Sequence, residues 1–160
     1  MSQSLSDRLV ADMKAAMRDG DTERRDVIRF LRSAIGNKEI EERRPLTDDD
    51  IVGVIQTQIK QRMDAAEMFT QGNRDDLAAR EKRQADILRE YLPEQLSEEE
   101  IEAIARGAAE RLGLAGPGDM GKLMPEIMKQ VRGRADGRTV SRIARDELAR
   151  RASGDEGSSD

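Results

Sequence analysis

The sequence predicts an all-α fold, with an N-terminal helical hairpin or bundle followed by a small three-helix C-terminal domain. Apolar residues recur three and four apart along almost the whole chain, the mark of helices that bury one face. No alternating β-branched run competes with them, and Asp136-Gly137 falls between helical stretches instead of joining two strands. Only 2% of the 160 residues are aromatic, so any core must be built from Leu, Ile, Val, Met and Ala, as in helix bundles.

A first helix is expected from about Ser6 to Arg18, with Leu9, Met13, Ala16 and Met17 on one face and Gly20 as its stop. The second starts after Asp21, carries Val27, Ile28, Leu31 and Ile35, and loses order near Arg44-Pro45, because a proline disfavours the helical conformation of the residue before it. Thr47 and Asp50 read as an N-cap with an acidic third residue, close to a capping box. They open a third helix with the stripe Ile51, Val54, Ile55, Ile59, Ala66 and Phe69, which ends at Gly72. Gln58 and Arg62 interrupt that stripe. Internal pairing with Asp76 or Glu81 of the next helix explains them, and a notch for a protein partner is the alternative. The fourth helix, from about Arg74 to Glu90, presents Leu77, Ile87 and Leu88.

Pro93 breaks the pattern and marks the expected boundary between an N-terminal helical domain, 1–93, and a C-terminal domain, 94–152. Ser97 and Glu100 form the next capping box, ahead of Ile101, Ile104, Ala105, Ala108 and Leu112. Asp119 is expected to cap a helix with Met120, Leu123, Met124, Ile127, Met128 and Val131 inward. Thr139 is expected to cap a last one with Val140, Ile143, Ala144 and Leu148 inward. Pro125 conflicts with this scheme, since it lacks a backbone donor, and predicts a bend or a later start. The tail 153–160 has nothing to bury and is expected to be disordered.

Composition narrows the function. The chain has no cysteine and no histidine, which excludes disulfides, thiol nucleophiles, thiolate and imidazole metal ligands, and the commonest acid–base side chain. The N-terminal stretch lacks the apolar core of a signal peptide and no window approaches a spanning helix, so no membrane association is expected and the cytoplasm is the expected location. Asp48-Asp49-Asp50 resembles a metal cluster only superficially, since carboxylates at a helix start complement the helix dipole.

Charge is unevenly spread. The segment from Asp119 to Arg151 holds 9 Lys/Arg against 5 Asp/Glu, a net of +4, while the rest of the chain holds 19 against 28, a net of −9. Such separation points to a polyanionic partner, against the simpler reading of a solvated helix face. With Val140, Ile143, Ala144 and Leu148 inward, Arg142 and Arg145 turn outward, as do Lys122 and Lys129 on the preceding helix. Arg132, Arg134 and Arg138 flank Gly133 and Gly137, where a backbone can approach closely. These seven cations are the candidate contacts to RNA phosphates. The bland alternative pairs Arg142 with Asp146 and Arg134 with Asp136 for solubility alone. No aromatic residue lies between 119 and 151, so base stacking is excluded and recognition would be of shape and phosphate positions.

Taken in order, Leu46-Thr-Asp-Asp-Asp-Ile51, Ile59-Lys-Gln-Arg62, Arg74-Asp-Asp-Leu77, Tyr91-Leu-Pro-Glu-Gln-Leu96, Asp119-Met-Gly-Lys122 and Gly133-Arg-Ala-Asp-Gly137 resemble the GatB/YqeY family over all but the last eight residues. The family's members look like free-standing versions of the tail of the B subunit of the aspartyl/glutamyl-tRNA amidotransferase. The resemblance implies an all-helical fold of two parts and a grip on the tRNA body. The carbon–nitrogen ligase activity with glutamine as amide donor, often attached to the family, implies chemistry in other domains of the larger enzyme.

The residues agree with a non-catalytic reading. Glutamine hydrolysis needs an activated nucleophile with a base, and Ser33, Ser97 and Ser141 have no base in view. Gly116-Pro-Gly-Asp-Met-Gly121-Lys122 fits a phosphate-binding loop as far as the lysine. It fails at Leu123, where a magnesium-binding hydroxyl belongs, and it follows a helix instead of a strand. Neither a catalytic residue nor a cofactor is assigned. The expected partner is tRNA or an RNA of similar shape, with a protein partner on the N-terminal helices as the alternative and an accessory role in amide transfer as a third.

Overall fold

In the computed structural model, residues 3–154 are described, and the last six residues of the tail lie outside them. The described residues form seven α-helices and one short 3-10 turn, with no strand. The fold is all-α, and the chain divides into two compact units, Met1–Leu92 and Pro93–Asp160.

The first unit holds α1 (Leu5–Asp19), α2 (Thr22–Glu42), α3 (Asp48–Gln71) and α4 (Asp75–Arg89). Ser4 caps α1, its hydroxyl accepting from the Asp7 amide at 3.1 Å, so the helix starts at Leu5, one residue before the expected Ser6. Gly20 ends it at φ 74°, a left-handed conformation that costs glycine little. Asp21 caps α2 by accepting from the Arg24 amide at 3.1 Å. That helix stops at Arg43, itself left-handed at φ 57°, two residues before Pro45. Thr47 and Asp50 close the full capping box of α3, each side chain accepting from the other's amide, at 3.2 and 2.9 Å. Leu9, Val27, Ile28, Leu31, Ile51, Ile55 and Leu88 form the centre of this unit's core. Burying each such side chain contributes on the order of 1.5–3 kcal/mol.

The second unit holds α5 (Glu98–Leu112), the turn Pro117–Asp119, α6 (Met120–Val131) and α7 (Gly137–Ala152). Ile101, Ala105, Leu123, Ile127, Val131, Val140, Ile143 and Leu148 meet in its core. Two expected caps differ. Asp136 caps α7 by accepting from the Thr139 amide at 3.0 Å, so Thr139 is the third helical residue instead of the cap. Both residues suit a cap, and Asp136 wins because its carboxylate also accepts the Thr139 hydroxyl at 2.7 Å. Asp119 occupies the N-cap position of α6, but its side chain makes no capping bond to that helix. Its carboxylate turns back to accept from the amides of Ala115 and Gly116, which closes the turn ahead of the helix. Helix α6 runs through Pro125, whose missing N–H removes the bond to the carbonyl of Gly121.

Candidate nucleic-acid interface

On α7 the inward residues Val140, Ile143, Ala144 and Leu148 are buried, which turns Arg138, Arg142 and Arg145 outward at spacings of four and three. All three are exposed. A rise of about 1.5 Å per residue spreads them over roughly 10 Å of one helix face. Lys122 and Lys129, one heptad apart on α6, are exposed as well, opposite the buried Leu123 and Ile127. Arg132 and Arg134 are exposed on either side of Gly133, which takes a left-handed φ of 71°.

These cations are not equivalent. Arg142 donates to Glu98 of α5 at 2.6 Å and lies 3.9 Å from Asp146. Lys129 pairs with Glu126 at 3.4 Å. Lys122 and Arg145 form no ion pair among the described residues, and Arg145 donates to the hydroxyl of Ser141 at 3.0 Å. Arg134 serves the fold: its Nε donates to the carbonyl of Glu94 at 3.2 Å and its own carbonyl accepts from the Leu96 amide at 2.7 Å. Gln95 adds a carboxamide that donates to the carbonyls of Pro93 at 2.7 Å and Gly133 at 2.9 Å. The segment before α5 is thereby tied to the turn before α7. Sequence reasoning missed this tie, because nothing local to Gln95 or Arg134 indicates a partner some forty residues away.

The glycine-rich connection does not offer a phosphate cradle. The amides of Ala115 and Gly116, which an anion would use, already donate to Asp119, and these bonds hold its carboxyl below the usual carboxylate range. At the other turn, burial works to raise the Asp136 carboxyl, but bonds from the Thr139 hydroxyl and from the Thr139 and Arg138 amides outweigh it and leave the group low. Both acids remain charged at neutral pH. The basic segment therefore includes two fixed carboxylates that shape its turns.

Asp48 and Asp50 are likewise engaged. Asp48 accepts from the Leu5 amide at 3.1 Å, and Asp50 pairs with Arg44 at 2.8 Å. Among the described residues no group of three acids is arranged to hold a metal ion, and no helix is long and apolar enough to cross a membrane.

The sequence profile of the Yqey-like protein family matches residues 6–148. A protein of Pyrenophora tritici-repentis named "Altered inheritance of mitochondria protein 41, mitochondrial" is 33% identical over 130 residues, which is 80% of this chain and 71% of that protein. Proteins of the same name from Lachancea thermotolerans and Saccharomyces cerevisiae are 38% and 35% identical over 64% and 52% of this chain, covering 58% and 46% of their own lengths. Their names overturn the expectation of a cytoplasmic location, because they assign these relatives to mitochondria. The expectation rested on an N-terminal stretch without the apolar core of a signal peptide, a feature that does not fix the compartment. An all-helical chain carrying its motifs in this order, matched by the profile from the first helix almost to the end of the last, belongs to the Yqey-like protein family.

Proposed function

We propose that the chain is a non-catalytic helical adaptor that grips tRNA, or an RNA of similar shape, through its C-terminal part. In this reading an N-terminal helical bundle, 1–93, carries a three-helix domain, 94–152, whose cations track phosphates. The observation that supports it is the stripe Arg138, Arg142 and Arg145, exposed at helical spacing on one face of α7. Lys122, Lys129, Arg132 and Arg134 extend the set on the neighbouring helix and turn. Neutralising phosphates releases counterions, so affinity should fall steeply with salt, with a slope near −0.9 for each phosphate contacted on a duplex. Glu98, Asp136 and Asp146 dilute the field, which suits an accessory grip better than a sequence reader.

Binding of the full chain to a mixed tRNA pool from about 20 to 300 mM salt tests the proposal. A linear loss of affinity in log–log form supports it; no binding at the lowest salt defeats it. An accessory part in amide transfer rests on the resemblance alone, and glutamine- and ATP-dependent turnover on reconstitution with a partner that supplies the active site would support it.

A further inference from the structure

The arginine spacing of α7 occurs a second time in the chain. Arg25, Arg29 and Arg32 on α2 repeat the steps of four and three that separate Arg138, Arg142 and Arg145. Val27, Ile28, Leu31 and Ile35 are buried on this helix, and helical spacing carries the three arginines off that face. Arg29 and Arg32 are exposed, and Arg25 is half-buried. Arg32 Nη1 donates to Met13 Sδ at 3.7 Å, so the stripe runs beside α1. There Lys14 and Arg18, four residues apart, are exposed opposite the buried Leu9 and Ala16.

The carboxylates nearest in sequence are already engaged. Asp21 caps α2 and pairs with Arg24, Glu23 pairs with Arg83 of α4, and Asp26 pairs with Arg25 on the surface. Lys14, Arg18, Arg29 and Arg32 form no ion pair among the described residues. The chain has a net charge of −5, so cations gathered in this way reduce its net charge and do not serve solubility. Their excess on two adjacent helices is complementary to a polyanion. The aromatic residue within the stripe's span, Phe30, turns instead to Arg62 of α3, 6.0 Å from its ring centre. The face therefore offers guanidinium and ammonium groups without a stacking platform, which suits phosphates and not bases.

We propose that this face of α1 and α2 is a second phosphate-contacting surface for RNA, with Arg25, Arg29 and Arg32 following a backbone strand and Lys14 and Arg18 beside them. Arginine holds phosphate through its planar fork, and the exposed Arg25–Asp26 pair is weak enough to exchange for one. The inference rests on the reading that the chain binds RNA, but not on the α7 face. It gives RNA contacts to a unit for which the sequence offered only a protein partner.

Binding of tRNA across a salt series tests the surface in variants of the full chain. The first two are Arg29→Glu combined with Arg32→Glu, and Lys14→Glu combined with Arg18→Glu; the α1 pair gives the same reading should the α2 pair unfold. The control is Arg80→Glu combined with Lys82→Glu, an equal charge change at exposed positions of α4 that form no ion pair among the described residues. Thermal unfolding checks the fold of each. Both α1 and α2 variants should bind at least about tenfold more weakly, with a salt slope shallower by about two phosphate contacts, while the control loses less than about threefold. Folded α1 and α2 variants that bind as the unaltered chain does would overturn the proposal and leave the face to an acidic protein partner. A control that loses as much as they do would overturn it as well. Loss in these variants with none in Lys122→Glu combined with Arg145→Glu would uphold this surface and defeat the α7 grip, and no binding by the unaltered chain would defeat both.

Discussion

Arg142 Nη2 donates to Glu98 Oε1 across 2.6 Å, joining the middle of α7 to the first turn of α5. Both side chains are about half exposed, so the pair is worth only about 0.2–1 kcal/mol to the fold. It nevertheless covers the central cation of the α7 stripe with a carboxylate. Glu98→Gln should therefore raise tRNA affinity severalfold at low salt while lowering unfolding stability by less than about 1 kcal/mol. Filter binding and urea unfolding read the two effects, and unchanged affinity would remove Arg142 from the interface.

Asp136 holds the start of α7 by accepting both the amide and the hydroxyl of Thr139. Asp136→Ala should cost about 1 kcal/mol, seen as a lower urea midpoint with the slope unchanged. Thr139→Ala should cost less, because the amide that Asp136 receives remains. A larger loss in the threonine variant would return the cap to Thr139.

The helices were legible because their apolar residues keep one period and because Gly20, Thr47 and Ser97 punctuate them with local chemistry. Local chemistry was also where reading failed. Asp136 and Thr139 each suit a cap, and spacing alone does not choose between them. Asp119 looked forward to α6, while the free amides it serves lie behind it. Exposure of the α7 arginines followed from the buried residues beside them, but the meeting of Arg142 with Glu98 depends on tertiary packing that no window of sequence contains. Gln58 and Arg62 were visible as interruptions. The sequence offered Asp76 or Glu81 as partners for the two; Glu81 meets Arg62 while Asp76 pairs with Arg74, and nothing in the sequence indicated that Gln84 would share Arg62 and leave Gln58 Oε1 alone.

Glu147 is 5% exposed on α7 and pairs with Arg150 at 2.8 Å and Arg151 at 3.1 Å. Arg151 is itself only 9% exposed, so removing the carboxylate weakens the support of a largely buried guanidinium. Glu147→Ala should cost about 3 kcal/mol, whereas Arg150→Ala, at a half-exposed position, should stay within about 0.5 kcal/mol. Thermal unfolding of both variants checks the contrast, and equal losses would contradict it.

Acid should destabilise the chain progressively below about pH 4. Asp50 is held low by the Arg44 guanidinium and by Thr47, Asp119 by two backbone amides, and Asp136 by Thr139 and Arg138 despite its burial. Their folded pKa values lie below the unfolded value of about 3.9, so their stabilisation is present above that pH and is lost as pH falls through the folded values. With no histidine in the chain, no side chain of ordinary pKa titrates between about pH 6 and 7. Stability should be nearly flat from about pH 5 to 8 and drop below about pH 4, less steeply in Asp119→Asn combined with Asp136→Asn. A midpoint near neutral pH would contradict this assignment.

Lys122 and Arg145 are exposed on the basic segment without an ion pair among the described residues, so reversing them breaks no salt bridge. The most direct test is tRNA binding across a salt series for the unaltered chain and for Lys122→Glu combined with Arg145→Glu, with thermal unfolding as a control on structure. Binding should weaken at least about tenfold in the variant, with a salt dependence shallower by about two phosphate contacts. Identical binding and identical salt dependence in a folded variant would contradict the tRNA grip.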